Sequence, residues 1–206
     1  MSIAFGSSHA AVAAEYRNPF ATRHIRPGAV EFVFPSEESA DSLVRRLEAA
    51  AWRGAIVGPH GSGKSTLLET LLPRIERRGR CVVRRTLRAG QRSLGVPAAE
   101  RRAWGAATLL VVDGYEQLSW RSRLGLLWSC RRTGCGLLAT SHRPVGLTTI
   151  FRTTVTECLA RRVVERIAPQ DDVLRQVDLC DLLDRRGGDL REVLFDLYDV
   201  YESRRS

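Results

Sequence analysis

Lysine is nearly missing from this chain. Of 32 basic residues among 206, Lys64 alone is a lysine and every other one is arginine. Also missing is any apolar run approaching the ~20 residues that a bilayer-spanning helix needs, so no membrane association is expected. The apolar stretch Ala10–Ala14 has no basic flank before it and makes a poor signal sequence. No C-x-x-C pair occurs, and the five cysteines (Cys81, Cys130, Cys135, Cys158, Cys180) are odd in number. That excludes a zinc ribbon and a disulfide scaffold, and predicts reduced, mostly buried thiols in a cytoplasmic protein. Internal repeats and low-complexity tracts are absent too. Aromatics are few, at 7%.

What is present in excess is positive charge. The formal net charge is +9. Arginines crowd the stretch from Arg74 to Arg92 and recur as pairs at Arg101-Arg102, Arg131-Arg132 and Arg161-Arg162. Such a surplus is the footprint of a polyanion partner. The aromatics are not interleaved with the arginines as a base-stacking surface requires, so nucleic acid ranks behind a polyanionic nucleotide. A chain of this length buries a full core and suggests one domain with a small appendage.

Against that arginine background the position of the single lysine is informative. It lies in Gly58-Pro59-His60-Gly61-Ser62-Gly63-Lys64-Ser65-Thr66. The apolar Ala55-Ile56-Val57 leads in, and Leu67-Leu68 with Leu71-Leu72 at helical spacing leads out. A G-x-x-x-x-G-K-S loop between a strand and a helix is a phosphate-binding P-loop. Its glycines let backbone N–H groups converge on an anion, and the helix adds the positive end of its dipole. Lys64 is predicted to reach the β- and γ-phosphates of ATP, and the Ser65 hydroxyl to hold Mg²⁺. A compact ammonium suits that role, whereas the planar fork of arginine does not replace it.

Around the loop the pattern alternates strand and helix. Ser36, followed by Glu37 and Glu38, reads as the N-cap of a helix reaching Ala51 with Leu43, Val44, Leu47 and Ala50 inward. Strands are expected near Arg53–Val57, over Cys81–Leu87, over Thr108–Asp113 and over Gly136–His142, with a last one at Thr153–Cys158 after a short helix ending at Arg152. The P-loop helix should end by Gly79, with Pro73 a possible break. A short helix is expected near Ala98–Trp104. A helix over Ser119–Arg132 offers Leu124, Leu126, Leu127 and Trp128 to the core. After Leu159 the pattern is wholly helical, over about 160–167, 171–185 and 189–204. This predicts an α/β P-loop NTPase fold: a three-layer α/β/α parallel sheet with a small C-terminal helical lid. Residues 1–35 form an N-terminal extension packing on the core, 36–158 the P-loop core, and 159–206 the lid.

Ligands of an open parallel sheet sit beyond the carboxyl ends of its strands. The P-loop, Asp113 and Thr140-Ser141-His142 all fall at that edge. Four apolar residues lead into Asp113, which reads as a Walker-B carboxylate holding Mg²⁺. Hydrolysis also needs a group to orient a water. Many P-loop ATPases place Glu directly after the Walker-B Asp, where this chain has Gly114. The nearest carboxylate, Glu116, has two readings: a base reaching toward the γ-phosphate, or a cap for the helix at Ser119.

The stretch Leu137-Leu138-Ala139-Thr140-Ser141-His142-Arg143-Pro144, then Leu147–Arg152, resembles the sensor-1 to arginine-finger region of AAA-plus ATPases, closest to the clamp-loader-like branch. Gly187-Gly188-Asp189-Leu190-Arg191 resembles the sensor-2 stretch of their helical lid. The likeness spans roughly residues 50 to 200 and keeps the order of parts. It implies that Thr140 or Ser141 positions the attacking water, that Arg191 reaches from the lid to the γ-phosphate, and that Arg152 acts on a neighbour's nucleotide. A protein partner or a second copy of the chain is therefore expected. His142 has two readings, a phosphate-sensing switch or a loop histidine with satisfied partners. The function implied is an ATPase coupling ATP and Mg²⁺ binding or hydrolysis to a conformational cycle or partner recruitment. Two alternatives stand beside it. One is an ATP-dependent switch with little hydrolysis. The other is a small-molecule phosphotransferase, with Arg84, Arg85 and Arg88 binding a second phosphate.

Overall fold

A computed structural model describes residues 18–35, 37–169 and 177–203. Five strands, β1 (Arg53–Val57), β2 (Cys81–Thr86), β3 (Thr108–Asp113), β4 (Gly136–Ser141) and β5 (Thr149–Arg152), form one sheet in the order β2-β3-β4-β1-β5. All neighbouring pairs are parallel. Before and between the strands run α1 (Thr22–Ile25), α2 (Ala40–Ala49), α3 (Lys64–Arg77), α4 (Ala98–Arg102) and α5 (Trp120–Thr133), with a 3-10 turn at Tyr115–Gln117. The chain continues with α6 (Glu157–Ile167), α7 (Leu179–Arg185) and α8 (Leu190–Ser203).

The continuous apolar runs explain the layering. Successive side chains of a strand point to opposite faces, so a strand apolar at every position needs cover on both sides. Ile56, Leu109, Val111 and Leu138 pack with Leu43 and Leu47 of α2 and with Leu67, Leu71 and Ile75 of α3. Their sequence neighbours Ala55, Val57, Leu110, Val112, Leu137 and Ala139 pack on the other face with Tyr115, Leu118 and, from α5, Leu126 and Cys130. The chain therefore has the three-layer α/β/α fold of P-loop NTPases, with the loop following the strand between β4 and β5. A third cluster unites Ala160 and Val164 of α6, Leu179 and Leu183 of α7, and Val193 and Leu197 of α8 with Phe20 from the chain's beginning. Asn18 Nδ2 fastens that beginning to α8, donating to the Tyr198 carbonyl at 3.2 Å and to Glu202 Oε1 at 2.8 Å. Phe32, twelve residues after Phe20, belongs to the sheet core.

Several local expectations are corrected. The N-cap of α2 is Ser39, whose side chain exchanges capping-box hydrogen bonds with Ser42; Ser36 lies outside the described residues. Pro73 does not break α3. It sits on the exposed side of the helix. The edge strand is Thr149–Arg152, and the stretch expected as a strand instead starts α6, because Thr156 caps it through Leu159 N at 3.2 Å. Leu124 and Trp128 are 57% and 63% exposed, not core. Cys130 and Cys135 are buried, whereas Cys81, Cys158 and Cys180 are exposed, and all five are free thiols. Ala10–Ala14 and the start of the helix expected over 171–185 lie outside the described residues. Among the described residues no helix is long and apolar enough to cross a membrane.

Candidate functional site

A cleft of about 510 Å³ opens at the carboxyl edge of the sheet. Its floor is the P-loop with Asp113 and Thr140, and one wall comes from Arg26–Val33. The opposite wall is the lid, through Leu159 and Val163 of α6 and Arg191, Leu194 and Phe195 of α8. Its volume lies in the range of small-molecule sites.

Strand register brings three site residues together. Val112 pairs with Ala139 across β3 and β4, so Asp113 stands beside Thr140. Both side chains point to the α3 face, in phase with Val111 and Leu138. Asp113 Oδ1 accepts from the Thr140 hydroxyl at 2.5 Å, and Asp113 Oδ2 from the Ser65 hydroxyl at 3.0 Å. Thr140 Oγ1 in turn accepts the Gly114 N–H at 3.0 Å. The same alternation turns Ser141 away from the cleft. It is fully buried, and its carbonyl takes the Gly58 N–H at 3.1 Å, tying the P-loop to β4. Of the two candidates, Thr140 faces the site and Ser141 holds the loop.

The Lys64 ammonium lies back on its own loop, donating to the carbonyls of Gly58 at 2.8 Å and Pro59 at 2.5 Å. It also lies 3.3 Å from His142 Nδ1. Burial pushes its pKa down, while Glu116, Asp113 and Asp189 pull it back up. His142 Nε2 contacts Glu116 Oε1 at 3.0 Å. Because the Lys64 ammonium can only donate, these partners favour the tautomer with the proton on Nε2, toward Glu116, and Nδ1 as acceptor. Burial foremost, and then Lys64, lower the pKa of His142, with Glu116 opposing. The ring also stacks on His60, centroids 3.7 Å apart.

Glu116 does not cap α5, because the cap is the Ser119 side chain accepting from Ser122 N at 3.2 Å. The carboxylate lines the cleft instead, and its buried Oε2 has no hydrogen-bond partner among the described residues. A reason for the displaced carboxylate lies in Gly114. Its φ is +84°, and a Cβ there would come within 3.0 Å of the Leu87 carbonyl. No glutamate fits at that position without strain. The next turn supplies one, held at its backbone by Arg123, which donates to the Glu116 carbonyl at 2.6 Å.

The loop's remaining residues are close-packed. Gly58 has no room for a side chain: a Cβ would lie 2.0 Å from Thr153 Oγ1. That hydroxyl is 2.6 Å from Ser62 Oγ, which also donates to the Pro59 carbonyl at 2.8 Å. Gly61 has φ +61°, and a Cβ there would fall 1.6 Å from Asp189 Oδ1. Asp189 starts α8 by accepting from Arg191 N at 3.0 Å and Glu192 N at 3.2 Å, so the lid's first turn rests against the P-loop. Gly63, Lys64, Ser65 and Thr66 line the cleft, as does His60. Arg191 lines it from the lid, its guanidinium 5.7 Å from the Phe195 ring. Arg152 is exposed at the end of the edge strand, outside the cleft lining. Arg84 and Arg85 are paired with Glu69 and Glu100.

Sequence reasoning missed Thr153, Asp189 and the His60–His142 stack. Thr153 and Asp189 are far in sequence from the loop they support. The local signal they left was the glycine at each contact, Gly58 and Gly61.

The residues fit a hard cation. Ser65 and Asp113 offer two adjacent oxygens, and Mg²⁺ characteristically takes one or two protein ligands and completes its shell with water and phosphate. Among the described residues no group of three or more His, Cys, Asp or Glu is gathered to cage a metal.

No family model matches the chain, and no curated protein does. Solved structures do match. A Thermotoga maritima RuvB variant aligns at 15% identity with a TM-score of 0.44, over 81% of this chain and 69% of that one. Caenorhabditis elegans PCH-2 aligns at 15% identity with a TM-score of 0.37, over 62% of this chain and 44% of that one. Along this chain the P-loop comes first, Asp113 and Thr140 follow at strand ends, and the C-terminal helices carry Arg191.

Proposed function

We propose that this protein binds ATP with Mg²⁺ in the cleft between sheet and lid and hydrolyses it slowly, coupling occupancy to the position of the lid. The observation that carries this reading is the joining of Ser65, Asp113 and Thr140 by hydrogen bonds of 3.0 and 2.5 Å beside the half-buried Lys64. Gly58–Thr66 would cradle the phosphates through backbone N–H groups, and Lys64 would exchange its loop carbonyls for phosphate oxygens. Ser65 and Asp113 would hold Mg²⁺, which supplies charge neutralisation between the phosphates.

Glu116 is the base in this proposal. Its Oε2 has no partner among the described residues, which suits a group that must accept a proton from water. Thr140 fixes Asp113, and Arg191 offers a cation from the lid to the transferring phosphoryl group. Residues 159–206 would act as the lid, and the described residues 18–35 of the N-terminal extension touch both it and the core, through Phe20 and Phe32. Arg152, exposed on the edge strand, would act on a partner or a second copy. One observation favours a switch with little turnover. The Glu116 oxygen that has a partner is tied to His142, which is tied to Lys64, so nucleotide entry must rearrange this chain of contacts before Glu116 can act.

Titration calorimetry with Mg-ATP tests the site. Lys64→Ala should weaken binding at least a hundredfold, since it removes charge-assisted bonds worth about 1.5–3 kcal/mol each. Unchanged affinity would remove the P-loop from the proposal.

A further inference from the structure

Helix α5 presents to solvent a face that the fold does not use. Trp120, Leu124 and Trp128 are 66%, 57% and 63% exposed and, among the described residues, are the large hydrophobic side chains left open. Spacing by four puts them on one stripe, ~12 Å long at ~1.5 Å rise per residue. Arg121, Arg131 and Arg132 are exposed beside them. The Arg121 guanidinium lies 5.3 Å from the Trp120 ring centre, and that of Arg132 5.4 Å from Trp128. No aspartate or glutamate occurs anywhere in this helix. Helices α6 and α7 each pair an arginine with a carboxylate of their own, Arg161 with Glu157 and Arg185 with Asp181. The inward residues Leu126 and Cys130 fix the rotation of α5, so the stripe cannot turn into the core.

The basic surface extends past the end of the helix. A Cβ on Gly134 would lie 3.6 Å from the Ala106 Cα, and the Ala106 carbonyl accepts from Arg80. Arg101 and Arg102, exposed on α4, lead into the same segment.

This stripe matches a ligand with negative charge at regular intervals and flat π faces. An acidic polypeptide supplies the charge without planar groups for two indoles. A duplex supplies phosphates with its bases stacked inside. We propose that α5 binds single-stranded nucleic acid, with phosphates on Arg121, Arg131 and Arg132 and bases stacked on Trp120 and Trp128 across Leu124. The sequence expectation ran the other way, on aromatics not interleaved with the arginines, and a separate expectation put Leu124 and Trp128 in the core. Their exposure is what interleaves aromatic and arginine. The inference does not depend on the nucleotide cleft.

Fluorescence anisotropy with a labelled oligothymidylate of about 20 nucleotides tests it, at about 50 mM and 200 mM salt. Trp52 and Trp104 are buried, so quenching of intrinsic fluorescence reports on the stripe. The wild type should bind with quenching. The pair Trp120→Ala with Trp128→Ala should lose roughly tenfold or more in affinity, and the corresponding Phe pair should keep most of it. Arg131→Ala with Arg132→Ala should weaken binding and flatten its salt dependence by about two phosphates. Oligouridylate should bind alike, because nothing on the stripe selects the sugar. Four results would each overturn the proposal: no binding; equal binding of a duplex of the same length; displacement by polyglutamate at equal charge; or an alanine pair that binds like wild type. Unchanged thermal melting of the variants separates lost binding from lost fold.

Discussion

Thr140→Val probes the centre of the site with one atom. The substitution keeps the shape of the side chain and replaces Oγ1 by a methyl group. In the structure Oγ1 donates to Asp113 Oδ1 at 2.5 Å and accepts from Gly114 N at 3.0 Å, and Thr140 is 1% exposed. The lost bond to a carboxylate is worth about 1.5–3 kcal/mol, and leaving a half-buried N–H without an acceptor costs about 1 more. The new methyl group returns less than ~1 kcal/mol, because it faces a carboxylate rather than apolar atoms. The net loss is about 2–3 kcal/mol, which for a chain of this size lowers the melting temperature by roughly 4–12 °C. Thr140→Ser keeps the hydroxyl and should recover most of that loss. Asp113 would retain only the Ser65 bond, so Mg-ATP affinity should fall together with stability. Scanning fluorimetry measures the first effect and titration calorimetry the second. A valine variant as stable as wild type, or a serine variant as unstable as valine, would refute the assignment of Thr140 as the residue that holds Asp113.

Three further outcomes are expected. Glu116→Gln should lower ATP turnover roughly 10²–10⁴-fold while leaving Mg-ATP binding in place; an unchanged steady-state rate would remove Glu116 from the chemistry. Gly61→Ala forces a residue at φ +61° against Asp189. The left-handed conformation costs about 1–2 kcal/mol and the disturbed cap about 1, and an unaltered melting temperature would show that loop and lid do not touch. His142 is expected to make stability depend on pH. Its folded pKa is lowered from the model-compound value of 6.5, chiefly by burial, so the unfolded chain binds the proton more readily. Stability is then full above that value and is lost as pH falls from there to the folded pKa. His142→Asn should flatten the melting profile below pH 6.5; an equally steep profile there would assign the dependence to another group.

How much was legible in advance follows from how local each signal was. The strand at Thr108–Asp113 matches the expectation to the residue and the one expected near Arg53–Val57 is found there, because Leu109–Val112 and Ala55–Val57 are apolar runs that the structure buries on both faces. The edge strand Thr149–Arg152 was missed. It is short, half of it is open to solvent, and only its pairing with β1 makes it a strand. The true cap of α2 lay three residues beyond the expected one, where Ser39 and Ser42 cap each other. Trp128 was misassigned because its helix carries apolar residues on more than one side, and spacing alone does not say which side meets the sheet.

The sequence by itself determined the phosphate loop, the strand-ending Asp113 and the helical tail, since each is a contiguous pattern with its own local physics. It also isolated Lys64 through the near absence of lysine elsewhere. Tertiary structure decided the rest. The parallel register of β3 and β4 chose Thr140 over Ser141, because neighbouring residues on a strand face opposite ways. The left-handed backbone at Gly114, closed off by the Leu87 carbonyl, moved the candidate base to Glu116. Contacts across long sequence separations put Asp189 against Gly61 and Thr153 against Gly58. The rotation of α5 on the sheet, fixed by Leu126 and Cys130, turned two tryptophans toward solvent.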